Sequence, residues 1–125
     1  MEEVYIARVA KAGQVNRNRF KIPEGKLEEA FQKHGSSVPI IPYPQPATCL
    51  SDFSYVNNDD TVGRVIGIED EQYRCDVDKE KIGQIDLSQY VLAANIITNC
   101  HKEDNITVVD DICQIISFSL EKKEN

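Results

Sequence analysis

The most regular alternation of apolar and polar residues lies near the C-terminus, in ICQIISFSLEKK, residues 112–123. Two sets of side chains fall on opposite faces there: Ile112, Ile116, Phe118 and Leu120 on one, and Ser117 and Ser119 on the other. A period of two is typical of a half-buried β-strand. The pattern predicts a core strand with Phe118 facing inward and Ser117 facing outward, where a change to alanine has almost no effect.

Shorter patterns predict the other elements. Residues 4–10 favour a strand, and residues 61–70 and 72–78 favour a β-hairpin that turns at Asp70 and Glu71. Pro23, the acids that follow it and Gly35 indicate a short helix, whose apolar stripe is Leu27, Ala30 and Phe31. The segment Leu87–Ile97 is ambiguous, because Asp86 or Ser88 is a suitable helix cap while the residues after them prefer strands; we favour a strand.

Four prolines occur within eight residues of VPIIPYPQPATC, at positions 39, 42, 44 and 46. Proline removes backbone donors and favours an extended path, which predicts an edge or a loop here rather than a central strand. Taken together, these elements predict an α+β fold: a small, mostly antiparallel β domain with one or two short helices. A single domain is predicted for residues 1–120, with a solvated tail at residues 121–125.

Composition narrows the classes of function. The net charge is −7, so the summed field repels phosphate backbones and nucleic acid is not an expected partner. The sequence shows no apolar run approaching the ~20 residues that span a bilayer, and MEEVYIARVAK does not resemble a secretory signal, so we expect a cytosolic protein without membrane contact. No cofactor is predicted, since the glycines form no phosphate-binding motif.

Candidate chemistry is sparse in this sequence. The four cysteines, at positions 49, 75, 100 and 113, include no CxxC pair, which predicts reduced thiols and no metal site. His34 and His101 are the two histidines. His34 suits the end of the predicted helix, and His101 lies in NCHKEDN, which we interpret as a polar turn. Cys100 precedes His101 directly, and neighbouring residues on a strand point to opposite faces.

Aromatic residues in and after the proline run are the best candidates for partner binding. Tyr43, Phe53 and Tyr55 lie between residues 42 and 55. Interfaces are enriched in Tyr and Phe, although aromatics beneath a loop are more often part of a core. The pattern leaves both interpretations open.

The order of several pieces resembles tailed-phage prohead (capsid maturation) proteases. These pieces are the elbow NRNRFKIPEGKLEEAF, then SVPII, then VGRVIGI with its charged hairpin, and finally IISFSLEKK. The resemblance implies a prohead-protease-like core and a role in building the phage head, within the host cytoplasm or the virion. It also implies a serine nucleophile with a histidine base.

The catalytic residues of that family are not matched in this chain. The base histidine is expected shortly after Val38–Ile41, yet residues 35–100 contain no histidine. We therefore expect a non-catalytic phage or prophage protein that contacts a coat protein or its own copies. Two alternatives stay open: a small active protease that uses Ser117, Ser119 or Cys100 with His101, and an acidic phage inhibitor of a host defence protein.

Overall fold

The computed structural model describes residues 2–9, 13–15, 19–43 and 60–123. Strands account for 57% of the structure. In chain order, the described elements are β1 (Glu2–Arg8), β2 (Phe20–Lys21), α1 (Lys26–Lys33), β3 (Val38–Ile41), β4 (Gly63–Ile68), β5 (Gln72–Val77), α2 (Lys79–Ile82), β6 (Tyr90–Glu103) and β7 (Ile106–Lys122).

Six of the strands close into a barrel. Their order around it is β7-β3-β4-β5-β1-β6, and β6 pairs back to β7; β2 adds to β7 outside this ring. Four neighbouring pairs are antiparallel, whereas β1–β6 and β3–β7 are parallel. The predicted α+β fold with a mostly antiparallel sheet is therefore wrong. The described residues form a mostly β structure, a closed six-stranded barrel with two short helices, and two of the six strand pairs in the barrel are parallel.

The barrel interior holds a single apolar core. Phe118, Val38, Val65 and Cys75 are fully buried there, and the Phe118 ring packs on Tyr73 with 4.8 Å between ring centroids. Helix α1 adds Leu27 and Phe31 to the same core, as its apolar stripe predicts.

The bulges of β7 change which residues face the core. Three residues of β7, Asp110, Cys113 and Ile116, are extra relative to β6. Each extra residue shifts the alternation by one, so Ile115 and not Ile116 is buried in the core beside Phe118. The predicted period of two is correct for Phe118 and Leu120 and wrong for Ile116.

The first residues of the proline run form a strand of the barrel wall. Contrary to the prediction of an edge or a loop, β3 lies between β4 and β7. Pro39 stands opposite Arg64 of β4, and pairing with β7 begins only at Ile40. Proline is tolerated here because the backbone N–H that it lacks is not needed for pairing with β7 at this position. Pro42 follows the last residue of β3.

The hairpin of β6 and β7 extends beyond the barrel, and we call residues 98–111 the arm. Asp104 and Asn105 form its two-residue turn with φ of 48° and 69°, a left-handed pair that Asp and Asn tolerate well. The predicted polar turn at NCHKEDN is therefore mostly strand. Strand β2 braces the arm at Thr107 and Val108, which gives the N-terminal elbow its place in the fold.

The ambiguous segment is a strand for most of its length. Asp86 caps a short 3-10 turn at Leu87–Gln89 by accepting a hydrogen bond from the backbone of Ser88 at 3.1 Å, and β6 begins at Tyr90. At the other end of the hairpin, β7 continues through Lys122, which pairs with Tyr90.

Candidate functional site

Tyr43 is the predicted partner-binding residue that the structure describes. It follows β3, and 40% of its surface is exposed. Its hydroxyl donates a hydrogen bond to Asp60 Oδ2 at 2.9 Å, and this bond raises the pKa of Tyr43. The bond fixes the direction of an exposed aromatic ring. Phe53 and Tyr55 lie outside the described residues.

An open cleft of about 630 Å³ lies beside α2. Val4, Val77 and Ile82 contribute apolar surface to it, and the ion pair of Glu2 and Lys79, at 2.6 Å, stands among its lining residues. The lining contains no histidine, serine or cysteine within the described part of the chain. The cleft therefore offers a shaped surface and no nucleophile.

His101 lies on the exposed arm between two carboxylates. Its Nδ1 is 2.7 Å from Asp110 Oδ1, and its Nε2 is 2.7 Å from Glu103 Oε2. The hydrogen bond to Glu103, and then the one to Asp110, raises the pKa of His101. Both ring nitrogens are engaged by acids, which favours a protonated ring over a free general base.

Ser117 and Ser119 lie in a different environment. Both side chains are fully buried, and Asn95 Nδ2 donates a hydrogen bond of 2.8 Å to each hydroxyl oxygen. Ser117 does point away from the core, as predicted, but it is not exposed. A change to alanine at Ser117 is therefore no longer expected to be silent, because it removes one acceptor of a buried donor.

The candidate nucleophiles and the histidine are far apart. Ser117 pairs with Asn95, and His101 stands six residues farther along β6. At about 3.3 Å per residue, this separation is about 20 Å, well beyond hydrogen-bond reach. No serine–histidine pair is assembled in the described structure.

The cysteines do not complete a catalytic pair either. Cys100 is exposed, and its sulfur lies 2.8 Å from Thr98 Oγ1, two residues back on the same strand. Burial raises the pKa of Cys75 to about 12, which keeps it a neutral thiol. Cys75 is buried, whereas Cys100 and Cys113 are exposed.

Arg8 is a buried charged residue that the sequence analysis did not single out. Its side chain is only 3% exposed, donates a 2.9 Å hydrogen bond to the Glu69 carbonyl, lies 3.5 Å from Glu28 and covers the Tyr73 ring. Its Nε has no partner among the described groups. The alternation of Val4, Ile6 and Arg8 along β1 was the available signal, since it places Arg8 on the core face.

Three further findings concern metal ligands, membrane-spanning helices and His34. No cluster of three potential metal ligands occurs among the described residues. None of the helices in the described ranges is long and apolar enough to cross a membrane. His34 ends α1, exposed, at the position that the sequence predicted for it.

Comparisons with known proteins add no relative. No protein-family model, curated protein or solved structure matches the chain.

We expect Asn95→Ala to lower the free energy of unfolding by about 1–3 kcal/mol, because two buried hydroxyls lose their common donor. The matched control is Asn99→Ala, the same residue type on the same strand in an exposed position. Urea denaturation of the two variants measures the difference. Equal midpoints would contradict a stabilising role for the Asn95 network.

We expect His101 to titrate above its ordinary pKa of 6.5, and Glu103→Gln to move its titration back toward that value. Because the pKa is raised in the folded state, the charged pairs stabilise the fold below the unfolded pKa. This contribution is lost as the pH rises through the folded pKa. NMR titration of the imidazole measures the shift, and a midpoint at or below the ordinary value would contradict the geometry.

Proposed function

We propose that the chain is a non-catalytic phage or prophage protein that acts through protein contacts in head assembly or on the capsid. The observation that carries the non-catalytic part is the separation of the two serines from His101 along the hairpin, about 20 Å for Ser117 and about 26 Å for Ser119. The phage assignment rests on the resemblance of the elbow and the strands that follow it to prohead proteases.

The burial of the two serines supports the same proposal. A serine nucleophile needs an adjacent base that removes its proton, and here each hydroxyl accepts a hydrogen bond from an amide. Neither hydroxyl is accessible to a substrate, because both residues are fully buried. The alternative of an active protease would need His101 to leave Asp110 and Glu103 and the hairpin to rearrange.

Tyr43 supports the choice of protein as partner. Large, exposed aromatic side chains with a fixed orientation anchor protein interfaces well, since little side-chain entropy is lost on binding. The bond to Asp60 provides that orientation. We propose that residues 42–55, with Tyr43, Phe53 and Tyr55 as anchors, contact a coat protein or a second copy of this chain.

The acidic inhibitor is a second candidate, favoured by the charge of the arm. Four acids stand within the arm: Glu103, Asp104, Asp110 and Asp111. A surface of this kind competes for protein sites that bind nucleic acid, and such binding weakens steeply with salt because exposed charges are screened over about 10 Å at 0.1 M.

The test is affinity purification from a phage-infected or prophage-carrying host, at low and high salt. We expect to recover head proteins even at high salt. Recovery should fall roughly 30-fold in Tyr43→Ala, since an anchor worth about 2 kcal/mol corresponds to that change in affinity. Tyr5→Ala is the matched control, since Tyr5 is a tyrosine 50% exposed on β1.

Two outcomes would overturn the proposal. Recovery of a host defence protein that salt releases would favour the inhibitor. Stoichiometric labelling by a serine-reactive fluorophosphonate, abolished in Ser117→Ala or Ser119→Ala, would show a hydrolase.

A further inference from the structure

Among the described residues, no strand lies beside one edge of β6 over most of its length. β6 pairs with β7 from Tyr90 to Glu103, but β1 covers its other edge only at Val91 and Leu92. From residue 93 to residue 103, no strand of the described ranges pairs with that edge. Such an edge presents a row of backbone donors and acceptors that another extended chain can pair with.

The usual devices that blunt an edge strand are sparse on β6. All three bulges of the hairpin lie in β7, so β6 itself stays regular. Residues 93–103 include no proline, and their single lysine, Lys102, stands near the turn. At about 3.3 Å per residue, the free edge is about 36 Å long, which accommodates a strand of ordinary length with room to spare.

The charge beside this edge selects among extended chains. Within the arm, residues 98–111, four carboxylates stand against Lys102 and His101, and Glu103, Asp104 and Asp110 are exposed. The His101 ring lies between Glu103 and Asp110, and even with that ring protonated the arm carries four negative charges against two positive ones. Asp111 is engaged by Lys26 of α1 at 3.5 Å. An extended segment that brings lysine or arginine along its length would meet opposite charge at the arm, whereas an acidic one would be repelled.

We infer that the free edge of β6 binds an extended, basic segment of a partner protein as an added strand. Main-chain hydrogen bonds supply the affinity, and the acids of the arm supply the selection. The inference rests on the proposed function only in that the partner is a protein, and it uses a surface separate from Tyr43.

Amide hydrogen exchange followed by NMR tests the edge itself. In a regular strand, successive backbone amides point alternately to the two sides of the strand. The β6 amides that point to β7 should therefore be protected from exchange. The alternate amides of residues 93–103, which point to the other edge, should exchange quickly. A capped eight-residue peptide of alternating lysine and valine should slow the fast set and leave the protected set unchanged. Protection of both sets in the free protein, whether by another segment of the chain or by a second copy, would overturn the inference.

Peptide controls test the chemistry of the partner. We expect at least tenfold weaker binding for the same peptide with two central valines replaced by proline, and for the counterpart with glutamate in place of lysine. Equal binding of the glutamate peptide would overturn the basic partner. Equal binding of the proline peptide would overturn strand pairing.

Protein variants locate the site. Glu103→Gln with Asp104→Asn should weaken the lysine–valine peptide at least fivefold at low salt, and Asn suits the left-handed φ of Asp104. The matched control, Glu3→Gln with Glu80→Gln, changes the net charge equally at exposed positions on β1 and α2, and should bind as the parent does. Equal loss in both pairs would show that overall charge, and not the arm, attracts the peptide.

The two proposals fail separately. Tyr43→Ala should leave binding of the lysine–valine peptide unchanged, and the arm variants should retain the contacts that depend on Tyr43. Suppose that the lysine–valine peptide binds normally but affinity purification recovers no head protein. Strand pairing at the β6 edge would then be supported, and the role in head assembly would be rejected.

Discussion

Phe118→Ala should lower the free energy of unfolding by about 3–5 kcal/mol. Phe118 is fully buried at the centre of the barrel, between Ile40 of β3 and Ala94 of β6, with its ring against Tyr73. The surrounding strands are held to one another by a closed ladder of hydrogen bonds. They therefore collapse little around the missing ring, which places the cost toward the upper end of this range.

Urea denaturation measures the loss as a lower midpoint at an unchanged slope. Tyr5→Ala is the control, because Tyr5 is a large aromatic residue on the outer face of β1 and surface changes usually cost no more than about 0.5 kcal/mol. Similar midpoints for the two variants would mean that Phe118 does not fill the barrel.

Gly63→Ala should cost about 3 kcal/mol, although alanine normally suits a strand better than glycine. A Cβ at Gly63 would stand 2.5 Å from the carbonyl oxygen of Asp76 and 3.0 Å from Cα of Val77. Both atoms belong to the backbone of β5, so no side-chain rotation relieves the contact. The two strands must separate at this point of the barrel.

Gly67→Ala is the matched control on the same strand. Its Cβ would meet the side chain of Arg74, with Nε at 3.1 Å, and a long, partly exposed side chain moves aside at little cost. We expect the thermal midpoint of Gly67→Ala to stay near that of the parent. A larger loss at Gly67 than at Gly63 would contradict the close approach of β4 and β5.

Local elements were predictable from the sequence because neighbouring residues determine them. The helix stripe of Leu27 and Phe31, the hairpin turn near Asp70 and the strand through Phe118 all depend on short patterns, and the structure contains each of them. Ile116 was misplaced because a bulge leaves no sequence signal as strong as alternation.

Closure of the barrel was not predictable in the same way. Two seams decide it, Ala7 with Val91 and Ile40 with Phe118, and each joins strands whose sequences show no preference for one another. Pro39 even argued against a central β3. Its position opposite Arg64, one residue before pairing with β7 begins, removes the conflict but follows only from the register.

The site was predicted less well than the elements. Tyr43 was named because aromatic residues in a proline-rich segment suit an interface, and its role in partner binding stays a prediction. Asn95 was missed because its hydrogen bonds are to two serines more than twenty positions away. The arm was missed because His101 and its neighbours were assigned to a turn. Contacts across a sheet require the register, which composition and periodicity do not supply.

The parallel pairing of β3 with β7 can form only late in synthesis. Ile40 and its partner Phe118 are separated by 78 positions, 118 minus 40. At about 5–20 residues per second, a ribosome needs about 4–16 s to cover that distance. Throughout this interval β3 exists without the neighbour that closes the ring, so a nascent chain depends on the β4–β5 hairpin, and on whatever chaperone meets it, until β7 arrives.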